Sequence, residues 1–319
     1  MKPARLAPEA VRTPFVVTTG EVVRNGPLPG TRLYWVELRV PELFLEPLPG
    51  QFVMVAPGLA RAAGQLLARP FSIARCIKDG NGWILGILYS RVGRGTDLMA
   101  RADQGTWSVI GPLGRGFPAT HKGPALLVGG GRGTAPLVFL AEWLEARGRG
   151  CEFLIGARTA LDWAGPEEMG ARLKRTRVWT ATEDGSRGER GRVLDLLADE
   201  PDLAELLAKP DAAIHACGPH GLLEAVGVVG AGLGVPVHVS IEAHMACGTG
   251  ICRSCMVPRD ARGPKPRKGQ NPEYLVSCLE GPVVPAACVH WAKDREAAPA
   301  MAYVPWDQDE AVGLAEAPR

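Results

Sequence analysis

The 319-residue sequence has little of what a membrane or nucleic-acid-binding protein needs. Its most apolar stretch, residues 226–241, is interrupted by Gly230, Gly232, Gly234 and Pro236, so it is too short and too broken to span a bilayer. The net charge is only +2, which gives nucleic-acid binding little support. The N-terminus has no apolar run of the kind found in secretory signal peptides. These absences predict a cytoplasmic protein with no membrane span and no nucleic-acid partner.

Basic residues are scattered, apart from one short cluster in a segment rich in Gly and Pro. Two interpretations are open: a solvated loop, which the composition favours, and a docking patch for an acidic partner. The cluster consists of Arg259, Arg262, Lys265, Arg267 and Lys268.

Short apolar or alternating runs occupy the first third of the chain. Turns rich in Gly and Pro separate them, and this pattern of short strands and turns is typical of an antiparallel β-barrel. The predicted strands are residues 15–17, 31–40, 52–55, 71–73, 83–89 and 107–110.

From residue 124 the predicted strands alternate with helices. An apolar strand over 125–128 leads into a helix over 136–147 with leucines on one face. Strands that alternate with helices predict right-handed parallel units and a doubly wound α/β domain. Further strands are predicted at 152–155, 177–180, 212–216 and 235–240, with helices at 191–198 and 221–229.

The composition divides the chain into four segments. We predict a β-barrel domain over 1–120, an α/β domain over 121–241 and a cysteine-rich subdomain over 242–290. Residues 291–319 form a C-terminal extension rich in Ala, Pro and acidic residues, to which no structure is assigned.

Four of the eight cysteines lie within 32 residues. Cys247 is followed after four residues by Cys252, after two more by Cys255, and then by Cys278. This is the plant-type spacing of [2Fe–2S] ferredoxins. A zinc site is the alternative, but zinc ligands usually come as two pairs with two residues between the cysteines, and here there is one such pair. The spacing therefore predicts a [2Fe–2S] cluster bound by these four residues.

A glycine-rich turn, V-G-G-G-R-G-T-A-P over 128–136, joins the first strand and helix of the α/β segment. Backbone N–H groups and a helix dipole at such a turn can hold a pyrophosphate. No strict G-x-G-x-x-G pattern runs through it. Taken alone, the turn leaves open either a nucleotide site or a tight connection between strand and helix.

Two more motifs lie in the barrel segment. Residues 69–72, R-P-F-S, put a guanidinium and a hydroxyl on one strand, and these groups suit a phosphate and a ring nitrogen. Residues 93–96, G-R-G-T, precede a helix-like run and offer N–H donors at its start. Singly, each is also typical of an ordinary surface loop.

In this order the motifs resemble the ferredoxin–NADP reductase superfamily, in which a Cys-Gly-Pro motif, here residues 217–219, also serves the nicotinamide nucleotide. The cysteine cluster narrows the resemblance to the electron-transfer subunit of dihydroorotate dehydrogenase. The resemblance covers about residues 13–289. The segments that carry it are 69–74, 111–117, 129–137, 182–186, 217–219 and 245–250.

The resemblance implies a β-barrel that binds FAD, an α/β domain that binds NAD(H) as substrate and a small [2Fe–2S] subdomain. It places FAD near Arg69, Pro70, Phe71, Ser72, Gly93, Gly95 and Thr96. It places the nicotinamide nucleotide near Gly130, Gly131, Gly133, Thr134, Cys217 and Gly218.

Two of these residues are expected at the reacting rings. Ser72 is expected near flavin N5, and Cys217 near the nicotinamide, where it would pack without acting as a nucleophile. Arg69 is expected to neutralise the flavin phosphate. NAD is favoured over NADP. NADP stays open as an alternative, because Arg158, after the second strand, could either meet a 2′-phosphate or face water.

The implied function is electron transfer between NAD(H), FAD, the cluster and a separate FMN-containing catalytic subunit in a hetero-oligomer of pyrimidine biosynthesis. Other electron-transfer subunits remain as alternatives: those of a ferredoxin–NADP transhydrogenase, a sulfhydrogenase or sulfite reductase, or an oxygenase. A redox-sensing or scaffold module is the non-enzymatic alternative. The chain departs from the dihydroorotate dehydrogenase pattern in its C-terminal extension and in Arg253 and Ser254 between the cysteines.

Overall fold

The computed structural model describes residues 15–41, 45–60, 64, 67–80, 82–118, 122–267 and 269–292. Within these ranges the chain forms two seven-stranded sheets and a two-stranded hairpin. Lys268 and most of the predicted extension over 291–319 lie outside the described residues.

The first sheet is antiparallel and curls around an apolar core. Its strand order is β4-β3-β7-β1-β2-β6-β5, so its two edge strands follow one another in the chain. Trp107, Leu38 and Ile87 are among the fully buried side chains inside the curl. The strands are β1 (Val16–Pro27), β2 (Leu33–Pro41), β3 (Phe52–Pro57), β4 (Arg69–Ser72), β5 (Arg75–Asp79), β6 (Gly82–Ser90) and β7 (Thr106–Leu113).

The predicted barrel is confirmed, with two differences in its strands. β1 is twelve residues long rather than three, because Thr, Gly and charged residues after Val17 interrupt the apolar pattern. β5 is missing from the prediction, since its sequence R-C-I-K-D is half charged and lies at the sheet edge. One helix, α1 (Arg94–Arg101), connects β6 and β7.

The second sheet has the order β11-β10-β9-β8-β12-β13-β16 and is parallel from β11 to β13. All six residues of β8 are buried, as expected for a central strand with both faces covered. Its strands are β8 (Ala125–Gly130), β9 (Glu152–Ala157), β10 (Arg177–Thr182), β11 (Glu189–Arg190), β12 (Ala213–Cys217), β13 (Val237–Ser240) and β16 (Val283–Pro285).

Helices cover both faces of this sheet, which confirms the doubly wound architecture. They are α2 (Thr134–Glu145), α3 (Asp195–Asp199), α4 (Pro201–Ala208) and α5 (His220–Leu233). The predicted helix over 191–198 is wrong in its first half: helix α3 begins at Asp195, because Gly191 has a φ of 147°, which is not helical, and the Arg192 N–H group donates to the Asp195 carboxylate. Helix α4, with Pro201 in its first turn, was not predicted.

The cysteine-rich segment forms a hairpin of β14 (Met256–Pro258) and β15 (Tyr274–Val276), followed by the single-turn helix α6 (Ser277–Glu280). β16 then pairs antiparallel with β13 and so extends the α/β sheet. Arg115, after β7, donates its N–H to the Gly281 carbonyl. The segment is therefore attached to both larger sheets.

No helix in the described part of the chain is long and apolar enough to cross a membrane.

The α/β core predicts a specific loss of stability. Leu127 on β8 is fully buried in the cluster beneath α2. Leu127→Ala is expected to lower the free energy of unfolding by about 2–5 kcal/mol through lost burial and a residual cavity. Val228→Ala is the matched control, because this side chain on α5 is 68% exposed and surface substitutions change stability by about 0.5 kcal/mol or less. Urea unfolding curves that coincide for the two variants would contradict this account of the core.

Candidate functional site

A cleft of about 470 Å³ lies where the two large sheets and the cysteine-rich segment meet. Its walls come from β4, the end of β6, the start of α1, the turn before α2 and the end of β12. Nine predicted residues line it: Arg69, Pro70, Phe71, Ser72, Gly93, Gly95, Thr96, Gly133 and Cys217. Residues far apart in the chain thus share one site.

Four predicted residues do not line this cleft. They are Gly130, Gly131 and Thr134 of the glycine-rich turn, and Gly218, which contacts that turn.

Close backbone contacts explain why glycine occupies several positions of this turn. A Cβ atom on Gly133 would collide with the carbonyl of Cys217 and the nitrogen of Gly218. Gly131 has a φ of 54°, a left-handed conformation that favours glycine. The Thr134 hydroxyl donates to the Gly131 carbonyl at 2.8 Å. Two motifs that are over eighty residues apart are therefore packed backbone to backbone at the carboxyl edge of the sheet.

Cys217 lies at the end of β12 and is 4% exposed. Burial raises the pKa of its thiol to about 12. The side chain is therefore a neutral thiol at physiological pH. Because the thiolate is the nucleophilic form of cysteine, Cys217 is not a nucleophile in this state.

The turn at the start of α1 has its own internal cap. The Thr96 hydroxyl donates to the Gly93 carbonyl at 2.9 Å and accepts from the Val92 N–H group at 2.8 Å. Thr96 thus shapes the turn with its side chain. The first N–H groups of the helix lack intrahelical partners and are the donors available to a ligand.

Aromatic residues form the barrel side of the cleft. The Tyr89 ring lies 6.2 Å from that of Phe71 and 5.3 Å from that of Tyr34. The Tyr89 hydroxyl donates to the Asn25 side chain at 2.8 Å. Burial raises the pKa of Tyr89, so the hydroxyl stays protonated.

Several lining residues lie outside the predicted set. Arg132 reaches from the glycine-rich turn to the Ser90 hydroxyl at 3.2 Å and so links the two sheets. Its place between two predicted glycines was a signal that could have identified it. The cleft is also lined by Glu242, His244 and Met245. Met245 begins the segment 245–250 that carries the family resemblance, whereas no motif marks Glu242 and His244, which reach the cleft through the packing of the cysteine-rich segment.

Loops after β9 and β10 meet beside the sheet edge. The Ser186 hydroxyl accepts from the Ala160 N–H group at 2.8 Å, and the Asp184 carboxylate accepts from Ser186. These hydrogen bonds lower the pKa of Asp184. Arg158 is 60% exposed and lies 3.9 Å from Asp162.

The cysteine loop is shaped by two glycines in left-handed conformations. Gly248 has a φ of 70° and Gly250 a φ of 82°. A Cβ atom on Gly248 would lie 2.6 Å from Met54, and one on Gly250 would collide with Leu279. Glycine is thus required at both positions by conformation and by packing.

The four thiols lie as two pairs, with no disulfide among them. Burial alone would raise the pKa of Cys247, but hydrogen bonds from Cys252 and Thr249 to its sulfur lower that pKa to about 6. A hydrogen bond from the Cys278 thiol lowers the pKa of Cys255 to about 6, and the same contact raises the pKa of Cys278.

This donor set fits a [2Fe–2S] cluster, in which each iron takes two thiolates. In the part of the chain that the structure describes, no group of three or more His, Cys, Asp or Glu side chains converges as a single metal ion would require.

An apolar wall joins the cysteine pairs to the barrel. Cys255 and Cys278 pack in one buried cluster with Phe52, Met54 and Leu113 of β3 and β7. Phe52 also lines the cleft. Phe52 is therefore shared between the lining of the cleft and the apolar cluster that contains Cys255 and Cys278.

The packing of the glycine-rich turn generates a prediction. Gly133→Ala forces its Cβ atom against the Cys217 carbonyl, so we expect a loss of about 1–3 kcal/mol in stability and weaker binding of NADH. Gly232→Ala on α5 is the control, because no atom lies within 4 Å of its added Cβ and alanine is the better helix former by about 1 kcal/mol. Thermal unfolding and NADH titration measure both effects. Unchanged NADH affinity in Gly133→Ala would show that the turn is not part of the nucleotide site.

Two family profiles match the chain. Residues 242–290 match the "Iron-sulfur cluster binding domain of dihydroorotate dehydrogenase B". Residues 127–227 match the "Oxidoreductase NAD-binding domain".

Known structures share the fold. The structure of an NADH-dependent reduced ferredoxin–NADP oxidoreductase superposes with a TM-score of 0.66 at 23% identity, covering 87% of this chain and 91% of the other. The ferredoxin reductase of carbazole 1,9a-dioxygenase gives a TM-score of 0.57 at 24% identity, covering 71% of this chain and 69% of the other. These similarities confirm the predicted ferredoxin–NADP reductase fold.

Curated relatives extend the match over most of the chain. The dihydroorotate dehydrogenase B (NAD(+)) electron transfer subunit of Geobacillus kaustophilus is 37% identical over 241 residues, which are 74% of this chain and 84% of the relative. The corresponding subunit of Desulforamulus reducens is 32% identical over 272 residues, which are 81% of this chain and 92% of the relative. The chain therefore belongs to the family of dihydroorotate dehydrogenase B electron transfer subunits, which are NAD-linked oxidoreductase components.

Proposed function

We propose that the chain passes electrons between NAD(H) and a partner oxidoreductase by way of FAD and a [2Fe–2S] cluster. The partner is the FMN-containing catalytic subunit of a dihydroorotate dehydrogenase, so the complex is a hetero-oligomer of pyrimidine biosynthesis. The observation that carries this proposal is the cleft: the barrel, the α/β domain and the cysteine-rich segment all line it. The names of the relatives support the choice of partner.

The proposal assigns one task to each segment. Residues 1–120 hold FAD, residues 121–241 bind NAD(H) and residues 242–290 hold the cluster through Cys247, Cys252, Cys255 and Cys278. When bound, a flavin exchanges two electrons with a nicotinamide and one at a time with an iron–sulfur cluster, so it connects the two chemistries.

Residues of the barrel bind and orient the flavin in this proposal. Arg69 is exposed on an edge strand and offers its guanidinium to a phosphate. The N–H groups at the start of α1 add donors beside the phosphates. Ser72 presents its hydroxyl to flavin N5. Phe71 and Tyr89 exclude water from the ring.

The glycine-rich turn and Cys217 bind the nicotinamide nucleotide in this proposal. Gly131 and Gly133 let the backbone approach the pyrophosphate at the start of α2. Cys217 packs against the nicotinamide as a neutral thiol, because its pKa is about 12. The exposed Arg158 already has Asp162 within 3.9 Å, and a carboxylate at this position repels a 2′-phosphate, which favours NAD over NADP.

The role of Arg69 is tested by Arg69→Ala. A hydrogen bond to a charged group contributes about 1.5–3 kcal/mol, so FAD affinity is expected to fall about ten- to a hundredfold while the cluster is retained. Arg101→Ala, at the exposed end of α1, is the control. Flavin absorbance and iron content per chain are measured after gel filtration. Stoichiometric FAD in Arg69→Ala would overturn the assignment.

The partner is proposed to dock on the tip of the cysteine loop. Ile251 is 84% exposed, and Met256 and Tyr274 on the neighbouring hairpin are 48% and 38% exposed. Arg253 lies between them with a left-handed φ of 58°. Exposed apolar side chains grouped around a redox site are typical of a protein interface.

Ile251→Asp tests this surface. Burial of an isoleucine at an interface contributes about 1.5–3 kcal/mol, so the affinity for the catalytic subunit is expected to fall about tenfold or more. NADH oxidation with ferricyanide should be unchanged, because the internal path is intact. Val228→Asp places the same charge on exposed α5 and should leave affinity unaltered. Equal affinities for the two variants would place the partner elsewhere.

The function as a whole is tested by co-purification from the native host. The untagged partner is identified, and the complex is assayed for dihydroorotate-dependent reduction of NAD⁺. Activity that requires both subunits is expected. A complex that reduces NAD⁺ with reduced ferredoxin or with a sulfur substrate, and not with dihydroorotate, would reject the proposed partner in favour of another electron-transfer complex.

A further inference from the structure

Arg259 is the exception in the basic cluster, which the sequence predicts to be a solvated loop. Its side chain is 4% exposed, whereas that of Arg262, three residues later, is 88% exposed. The prediction is therefore wrong for Arg259. Its guanidinium lies 2.7 Å from the Glu280 carboxylate, and Nε donates to the Asn271 carbonyl at 3.3 Å. A buried cation with these partners requires an explanation other than solubility.

Glu280 is the last residue of α6 and is also buried, with 10% of its side chain exposed. One carboxylate oxygen accepts from the Val276 N–H group at 3.0 Å, just before the helix begins. The other oxygen receives Arg259. The side chain thus spans α6 from end to end and fixes it to the hairpin.

Helix α6 needs such support because it has a single turn, and a helix this short is not stable alone. It carries Cys278. The strand β14, which begins directly after Cys255, ends next to Arg259. The Ser277 N–H group donates to the Cys255 carbonyl at 3.0 Å. The two cysteine-bearing segments are therefore connected near their thiols by this hydrogen bond and by the β14–β15 pairing, and at their far ends by the ion pair.

We propose that the Arg259–Glu280 ion pair is a clamp that holds the Cys255 and Cys278 thiols together as a preformed half of the cluster site. The clamp rests on the proposed role of these cysteines as cluster ligands. Arg259 and Glu280 are positioning residues, since they act through the segments that carry Cys255 and Cys278.

The other half of the site has no buried ion pair among the described residues. Cys252 is exposed, and the loop is held by N–H groups that donate to the Cys247 sulfur at 3.4 and 3.5 Å and by the Ser254 hydroxyl, which accepts from the Ala246 N–H group at 3.2 Å. Retention of the cluster should therefore depend on the buried half. Loss of one partner would leave the other as an uncompensated buried charge, which is strongly destabilising where it lies.

Three variants of the full chain, purified without oxygen, test the clamp: Arg259→Met, Glu280→Gln and the double variant. Cluster loss to a chelator is followed by visible absorbance. Residues that orient metal ligands typically contribute about 10- to 100-fold to metal affinity, so loss should be faster by that order in each single variant. The rate of cluster loss in the double variant should lie between the rates of the single variants and the wild type, since no unpaired charge remains. The paramagnetic signal of the remaining reduced cluster should broaden.

Arg262→Met is the matched control, because its exposed ion pair with Asp260 lies in the same loop. It should lose the cluster at the wild-type rate. FAD content should be unchanged in every variant, which separates an effect on the cluster site from general unfolding.

Three results would overturn the clamp: single variants that keep the cluster as long as the wild type, a double variant that is no better than the singles, or loss of FAD together with the cluster. A wild-type chain that binds no iron and sulfide would instead reject the proposed function. The two failures are therefore distinguishable.

Discussion

The contact on which the rest of the site depends is the apolar packing of the cysteine-rich segment against the barrel. Phe52, Met54 and Leu113 form one buried cluster with Cys255 and Cys278. If this wall opened, the cleft would lose one side and the cysteines would lose their support. Phe52 belongs to this cluster and also lines the cleft, so the cysteine-rich segment and the cleft share one wall.

Close contacts at glycines also hold these segments together. Gly133 lets two motifs of the α/β domain touch, and Gly248 lets the cysteine loop settle on Met54. Arg115 adds a link from the barrel to α6, donating through Nε to the Leu279 carbonyl at 3.2 Å. The cleft, the glycine-rich turn and the cysteine pairs are thus parts of one packed arrangement in which each segment shapes the site of its neighbour.

Local motifs were predictable from the sequence, and contacts between distant segments were not. The spacing from Cys247 to Cys278 predicts an iron–sulfur subdomain, and the profile of such a domain matches residues 242–290. The turn around Gly133 lies within the matched NAD-binding domain. The cleft wall at Glu242 and the burial of Arg259 depend on how the last segment folds back on the others. A charged residue in a Gly- and Pro-rich loop carries no local sign that its partner, Glu280, lies twenty-one residues away.

An anaerobic titration of the purified chain with NADH, in the absence of any partner, is the most direct measurement of the central claim. Flavin absorbance and the paramagnetic signal of the reduced cluster are recorded together. The account predicts that both centres are reduced, with about three electrons taken up per chain, two by FAD and one by the cluster. A flavin that bleaches fully while an intact cluster stays oxidised would contradict a continuous path from nucleotide to cluster.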